Sequence, residues 1–255
     1  MPYVVLGGEK YHYSAVVPED PKEVILFVHG SGGSHRHWQQ QLSFLGSRYM
    51  TMAVDLPGHG LSEGKACDNI KAYREFVCNF AEKIIGVPFY LGGHSMGGAV
   101  ALDFALEYPE RLKGLFLVGT GSRLKVLDIV LETFKSGRIF NGFSGMAYGP
   151  GATQEMLKAS AQELKDNPPY LYYCDLNACN RFDVGGRLGE IDTPTLVISA
   201  EKDVLTPPKY GKYLAENIKG ASFELIHGAG HMMMLEKPDQ FNSLVHAYIE
   251  ARSKV

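Results

Sequence analysis

Apolar residues recur along this chain in two spacings, one suited to strands and one to helices. Tyr3 to Leu6 and Lys10 to Val17 are rich in β-branched and aromatic residues, and Gly7-Gly8 between them predicts a hairpin. Glu23 to Val28 is a continuous apolar run, as in a strand buried on both faces, and it stops at His29-Gly30. Met50 to Asp55 predicts a further strand, closed by the turn signal Pro57-Gly58-His59-Gly60. Ile70 to Ile85 sets Phe76, Phe80 and Ile84 at helical spacing and is ended by Gly86 and Pro88. Phe89 to Gly92 reads as a short strand that breaks at Gly93, followed by a helix over Gly97 to Glu107 that Pro109 stops. Strands are also predicted at Leu115 to Val118, Thr195 to Ser199 and Phe223 to Ile226. Helices are predicted at Pro208 to Ile218 and Pro238 to Ala251, each opening with proline in its first turn.

Strands alternating with helices predict a mostly parallel sheet with helices on both faces. The rhythm fails between Ser122 and about Arg187, where no strand-like run occurs but helical patterns do, at Val126 to Phe134 and Thr153 to Leu164. The expectation is one α/β core, residues 1–121 and 188–255, with a helical cap over residues 122–187.

Composition narrows the function. The 255 residues are 45% hydrophobic, enough for one large core. The net charge is -3 and the pI about 6.3, with no basic stripe to neutralise phosphates, so nucleic-acid binding is excluded. No basic amphipathic face and no apolar run long enough to span a bilayer is present, so stable membrane insertion is not expected. Gly7, Gly8 and Glu9 interrupt the segment where a signal peptide would be apolar, which predicts a cytoplasmic protein; a monomer or homodimer is expected. Cys67, Cys78, Cys174 and Cys179 match neither a zinc pattern nor a disulfide framework and read as reduced thiols.

The chemistry concentrates at Gly92-Gly93-His94-Ser95-Met96-Gly97-Gly98, between a predicted strand and a predicted helix. A serine at the tip of so tight a turn needs glycine two residues to either side. The turn lifts its hydroxyl clear of the sheet and aims the Met96 N–H toward developing negative charge. The bland alternative is a glycine-rich turn that packs helix on strand, which the strand–turn–helix context disfavours. A phosphate loop is rejected because no Gly-Lys-Ser or Gly-Lys-Thr follows. His35 and His37, beside Trp38, are spaced like metal ligands but have no acidic or cysteine partner nearby in sequence, so neither metal nor cofactor is expected.

Together, His29-Gly30-Ser31-Gly32-Gly33-Ser34, Asp55-Leu56-Pro57-Gly58-His59-Gly60-x-Ser62 and Gly93-His94-Ser95-Met96-Gly97-Gly98 resemble the three core signatures of the α/β-hydrolase family, in the family's order. With the segments around Asp203 and His231, the similarity spans the chain apart from the cap. The resemblance implies the α/β-hydrolase fold, with Ser95 as nucleophile, Asp203 as the acid after a strand and His231 as the base. Glu201 is read as a turn residue. The other position where members carry the acid is Gly119-Thr120-Gly121, which has no carboxylate. Ala200, where glycine is common, is a mild departure. The oxyanion donors implied are the backbone N–H groups of Ser31 and Met96.

The motifs fit esterases, lipases, lactonases and carbon–carbon hydrolases alike. Cap aromatics favour an apolar acyl group, with Phe134, Phe143, Tyr148 and Met232 as expected substrate contacts. The expected activity is hydrolysis of short to medium acyl esters, including monoacylglycerols, through an acyl-Ser95 intermediate. Arg123, Arg138, Arg181 and Arg187 in or near the cap keep an enol-lactonase or carbon–carbon hydrolase open, since such substrates carry carboxylates. A weakly catalytic ligand receptor on the same scaffold is the alternative of another class.

Overall fold

Eight strands pair into one sheet in the computed structural model, which describes residues 2–252. They are β1 (Tyr3–Leu6), β2 (Glu9–Val16), β3 (Val24–Val28), β4 (Met50–Val54), β5 (Phe89–His94), β6 (Leu112–Val118), β7 (Thr195–Ala200) and β8 (Ser222–Ile226). Their order is β1-β2-β4-β3-β5-β6-β7-β8. The pairings of β2 with β1 and with β4 are antiparallel; all the others are parallel.

The helices are α1 (Gln39–Leu45), α2 (Ile70–Ile84), α3 (Met96–Glu107), α4 (Asp128–Lys135), α5 (Phe143–Met146), α6 (Gln154–Asp166), α7 (Pro169–Arg181), α8 (Pro208–Asn217), α9 (Met233–Glu236) and α10 (Pro238–Arg252). Asn69 caps α2 by accepting from the Ala72 N–H.

The period of two along the strands sorts side chains into two buried layers. Leu26, Val28, Leu115 and Leu117 face a core shared with α2 and α3. Ile25, Phe27, Phe116 and Val118 face the opposite one, with Trp38, Phe241 and Val245. Both faces being covered explains why β3 and β6 read as unbroken apolar runs. From β3 the chain moves outward to β4, then returns to β5 on the other flank of β3. The loops leaving β3 and β5 therefore diverge and open a crevice at the carboxyl edge of the sheet.

Between β6 and β7 the chain builds α4 to α7 over that edge. The stem of this insertion is closed by a bridge between Arg123 and Asp183 and by the Val184 N–H donating to the Ser122 carbonyl at 2.8 Å. Val130, Leu131, Phe134, Leu164, Tyr172 and Leu176 form a small core of its own.

Helices α1 and α7 carry no clear periodic signal. The buried positions of α7 (Leu171, Tyr172, Cys174, Asp175, Leu176, Ala178, Cys179) lie all round it, because core and cap both pack against it and no one-sided stripe results. The seven residues of α1 begin with three glutamines and are too short to display a period.

Candidate active site

Ser95 sits between β5 and α3 with φ 54° and ψ -115°, the only non-glycine residue with positive φ among those described. A side chain rarely adopts this conformation, which costs on the order of 1–3 kcal/mol and is held by its surroundings. A Cβ on Gly93 would collide with the Gly97 carbonyl, and one on Gly97 would lie 2.6 Å from the His29 carbonyl oxygen. The turn is pinned by the Ser95 N–H donating to Val118 (2.9 Å) and the Thr120 hydroxyl donating to the Ser95 carbonyl (2.8 Å).

The loop after β7 supplies Asp203 and the loop after β8 supplies His231. Nδ1 of His231 lies 2.8 Å from Oδ2 of Asp203, with both side chains buried. The same Oδ2 accepts from the Thr206 hydroxyl at 2.8 Å, and Oδ1 accepts from the Leu205 and Thr206 N–H groups, each at 2.9 Å. Burial by itself would raise the Asp203 carboxyl; His231 and these hydrogen bonds outweigh it and hold the group below the usual carboxylate range. An ionised carboxylate can only accept, so Nδ1 carries the proton and Nε2 is left as a base.

His94 packs against the base. Its Nε2 donates to the His231 carbonyl at 3.0 Å and its ring centroid lies 4.5 Å from that of His231. Complete burial, then the neighbouring imidazole, push its pKa well below the ordinary value, so it is a neutral prop.

Ser95 and His231 line one cavity of about 340 Å³ together with Gly30, Ser31, Phe143, Tyr148 and Met232. Among the described residues the Ser95 hydroxyl donates to no protein acceptor, and neither do the N–H groups of Ser31 and Met96. The mouth is rimmed by Leu127 and Val204, which line the cavity and are 69% and 63% exposed.

Phe134, expected to touch substrate, does not reach the cavity. It is fully buried in the cap core, stacked on Tyr172 and edge-on to Phe143, because the largest apolar side chain of α4 contributes most when fully enclosed. Of the methionine triplet, Met232 lines the cavity, whereas Met233 and Met234 pack into the core under the sheet.

The histidines beside Trp38 do have acidic partners, brought by the fold from far along the chain. His37 Nε2 meets Glu163 of α6 at 2.8 Å, and both line the cavity. Burial acts to raise the Glu163 carboxyl, but His37 outweighs it and lowers its pKa. His35 Nδ1 and its backbone N–H both reach Asp55, which also accepts from His12 Nδ1 at 2.8 Å and the Leu61 N–H at 3.0 Å. His12, His35 and Asp55 bring three possible ligand atoms within 4.8 Å, but at these distances each imidazole N–H already donates to the carboxylate, so Asp55 is the centre of a hydrogen-bonded hub, while the buried Nε2 of His12 has no partner among the described residues.

Burial opposes ionisation of Asp55, and hydrogen bonding from His35 and Leu61 overcomes it, holding the carboxyl well below the usual range. Asp55→Asn leaves buried imidazoles mismatched and is expected to cost about 3 kcal/mol, or about 8 °C in Tm. Because the folded pKa is depressed, the charge contributes fully above the unfolded carboxylate value and is lost as pH falls through the folded one. Thermal melts are therefore expected to differ by a constant gap down to about pH 4 and by a shrinking one below it, with part of the gap still present at about pH 3; a gap that does not shrink between about pH 5 and about pH 2 contradicts this account.

Residues 25–244 match the model of the alpha/beta hydrolase family. The chain belongs to that family and is a hydrolase. A putative carbamate hydrolase, RutD, from Rhizobium rhizogenes is 28% identical, over 92% of this chain and 95% of that protein. A 2-hydroxy-6-oxo-6-phenylhexa-2,4-dienoate hydrolase from Burkholderia cepacia is 30% identical, over 87% and 86% respectively. The solved structure of a thermophilic esterase superposes with a TM-score of 0.85 at 32% identity, covering 98% of this chain and 97% of the esterase. No helix among the described residues is long and apolar enough to cross a membrane.

Proposed function

We propose that the protein hydrolyses neutral carboxylic esters of short to medium acyl chain through an acyl-Ser95 intermediate. One observation carries the reading: a strained serine at a strand–helix elbow shares a cavity with an imidazole whose other nitrogen is bonded to a buried, ionised carboxylate. Nε2 of His231 takes the Ser95 proton as Oγ attacks the carbonyl carbon, and the resulting oxyanion is met by the Ser31 and Met96 N–H groups. The alcohol leaves with that proton, and water activated by the same imidazole then releases the acid.

The cavity's charge favours neutral esters over the carboxylate-bearing substrates of an enol-lactonase or carbon–carbon hydrolase. The four arginines that kept the latter open are engaged elsewhere: Arg123 with Asp183, Arg181 with Asp68, Arg187 with Glu107 and Glu190, and Arg138 with the Ser136 hydroxyl. None of them lines the cavity, whose two charged groups have opposite signs: Lys125, which donates to the Asn180 carbonyl, and Glu163, which is bonded to His37.

Nitrophenyl butyrate is expected to exceed nitrophenyl hemisuccinate at least about tenfold in kcat/KM, and Glu163→Gln to narrow that ratio about fivefold. Faster turnover of the anionic ester, or of an anionic ring-cleavage product, would overturn the assignment.

A further inference from the structure

The loop that carries Ser31 is gripped from the cap. The Gly32 N–H donates to Asp175 Oδ2 at 2.8 Å, and its carbonyl accepts from Asn167 Nδ2, also at 2.8 Å. Its α-carbon packs so tightly on the Tyr172 ring that a Cβ there would overlap it, and its φ of 66° is one that glycine adopts freely. Asn167 lies just before α7, and Tyr172 and Asp175 lie one turn apart within it. Three different constraints on one residue, Gly32, thus come from one cap segment.

Asp175 is itself fixed. It is fully buried, and besides Gly32 it accepts from His59 Nε2 at 2.9 Å and from the Tyr73 hydroxyl. Burial opposes its ionisation, but His59 and these donors prevail and keep the carboxyl below its usual range, so it is a charged and strong acceptor. His59 is raised in turn: burial works against its charge and Asp175 outweighs it. A second tie joins cap to core at the other end of the site, where the Met232 N–H donates to the Ala147 carbonyl at 3.0 Å and Glu236 accepts from both Gly149 and Gly230 N–H.

Resting on the acyl-serine reading above, we propose that Asp175 is a positioning residue for the reaction. By holding the Gly32 peptide it sets the adjoining Ser31 N–H at the oxyanion hole, so that the cap completes the catalytic machinery rather than only covering it. A donor fixed in advance of the reaction stabilises the tetrahedral oxyanion without reorganising, and one freed to rotate loses that advantage. The cap is accordingly not a lid that can lift as one piece: raising α7 would release the Gly32 peptide and disorder the hole.

The experiment compares wild type, Asp175→Asn and Tyr73→Phe on nitrophenyl butyrate and with a trifluoromethyl ketone that forms a reversible hemiketal on Ser95. In Asp175→Asn, kcat is expected to fall about thirtyfold with KM within about threefold, and the ketone's Ki to rise in step with the loss of kcat. Tyr73→Phe removes a donor to the same carboxylate that touches no part of the Ser31 loop; its Tm is expected to drop while kcat and Ki stay within about threefold. A merely structural role for Asp175 would lower Tm in both variants and leave Ki in both. An Asp175→Asn protein that is folded and within about threefold of wild type in kcat and Ki overturns the proposal. If that variant does not fold, Asn167→Ala carries the test, with about a fivefold loss expected in the same two quantities and unchanged values overturning it. A wild type that neither turns over nitrophenyl butyrate nor is labelled by a fluorophosphonate overturns the acyl-serine reading and this inference with it. An active wild type beside an unaffected Asp175→Asn overturns this inference alone.

Discussion

Replacement of Ser95 by alanine is expected to lower kcat for nitrophenyl butyrate about a millionfold while the fold persists. In the proposed mechanism the Ser95 hydroxyl forms the acyl intermediate, and removing the nucleophile of such a unit typically costs about that much. What survives is the binding and oxyanion stabilisation offered by the two free N–H groups. Alanine also tolerates the elbow poorly, but the φ of 54° is already imposed on serine by the Gly93–Gly97 contact, so little stability should change. Tm within about 3 °C of wild type would show that chemistry alone was removed. A fluorophosphonate should label wild type at Ser95 and leave the variant unlabelled. Retention of activity to within tenfold of wild type would remove Ser95 from the mechanism.

Asp203→Asn should reduce kcat about ten-thousandfold with little change in KM. The carboxylate does two things that an amide cannot. In the proposed mechanism it keeps the proton on Nδ1, so that Nε2 is free to act as base, and it stabilises the imidazolium formed during attack. An asparagine can turn its NH2 toward Nδ1, which selects the tautomer that cannot take the serine's proton. The Thr206 hydroxyl, 3.1 Å from His231 Nδ1, would still hold the ring roughly in place, so the geometry should survive while the electrostatics do not. Steady-state kinetics separate the cases: a rise in KM with kcat preserved would point to a binding role for Asp203 and against the triad.

The parts of the site legible in the sequence are those whose local backbone demands a residue type. The reading of Ser95 as nucleophile rests on an elbow whose curvature admits only glycine at 93 and 97, whereas the readings of Asp203 and His231 rest on the resemblance of their loops to those of the family. The paired strands were legible for a similar reason: burial on both faces leaves unbroken apolar runs such as Val24–Val28. Residues whose importance lies in a distant partner left no such mark. Glu163 is one of two glutamates on an amphipathic helix, and nothing within several residues of it indicates His37. Asp175 stands in a helix with no apolar stripe, and its three donors lie more than a hundred residues away in sequence. Phe134 was misplaced for the converse reason, since an aromatic on an amphipathic helix has the same pattern whether it faces a cavity or a neighbouring ring.

From its sequence alone, this chain determines its eight strands in order, the helices that show a period, the interruption between the two parts of its sheet, and a serine at a strand–helix turn; Asp203 and His231 were named by resemblance to the family. Local spacing and turn stereochemistry act over a few residues, so they can be read without coordinates. Only the tertiary structure decided which carboxylates the histidines meet, which arginines are withheld from the cavity, and that the cap holds the Ser31 loop. Those outcomes depend on hydrogen bonds of about 3 Å between residues far apart in the chain, and such distances are set by packing, which periodicity does not encode.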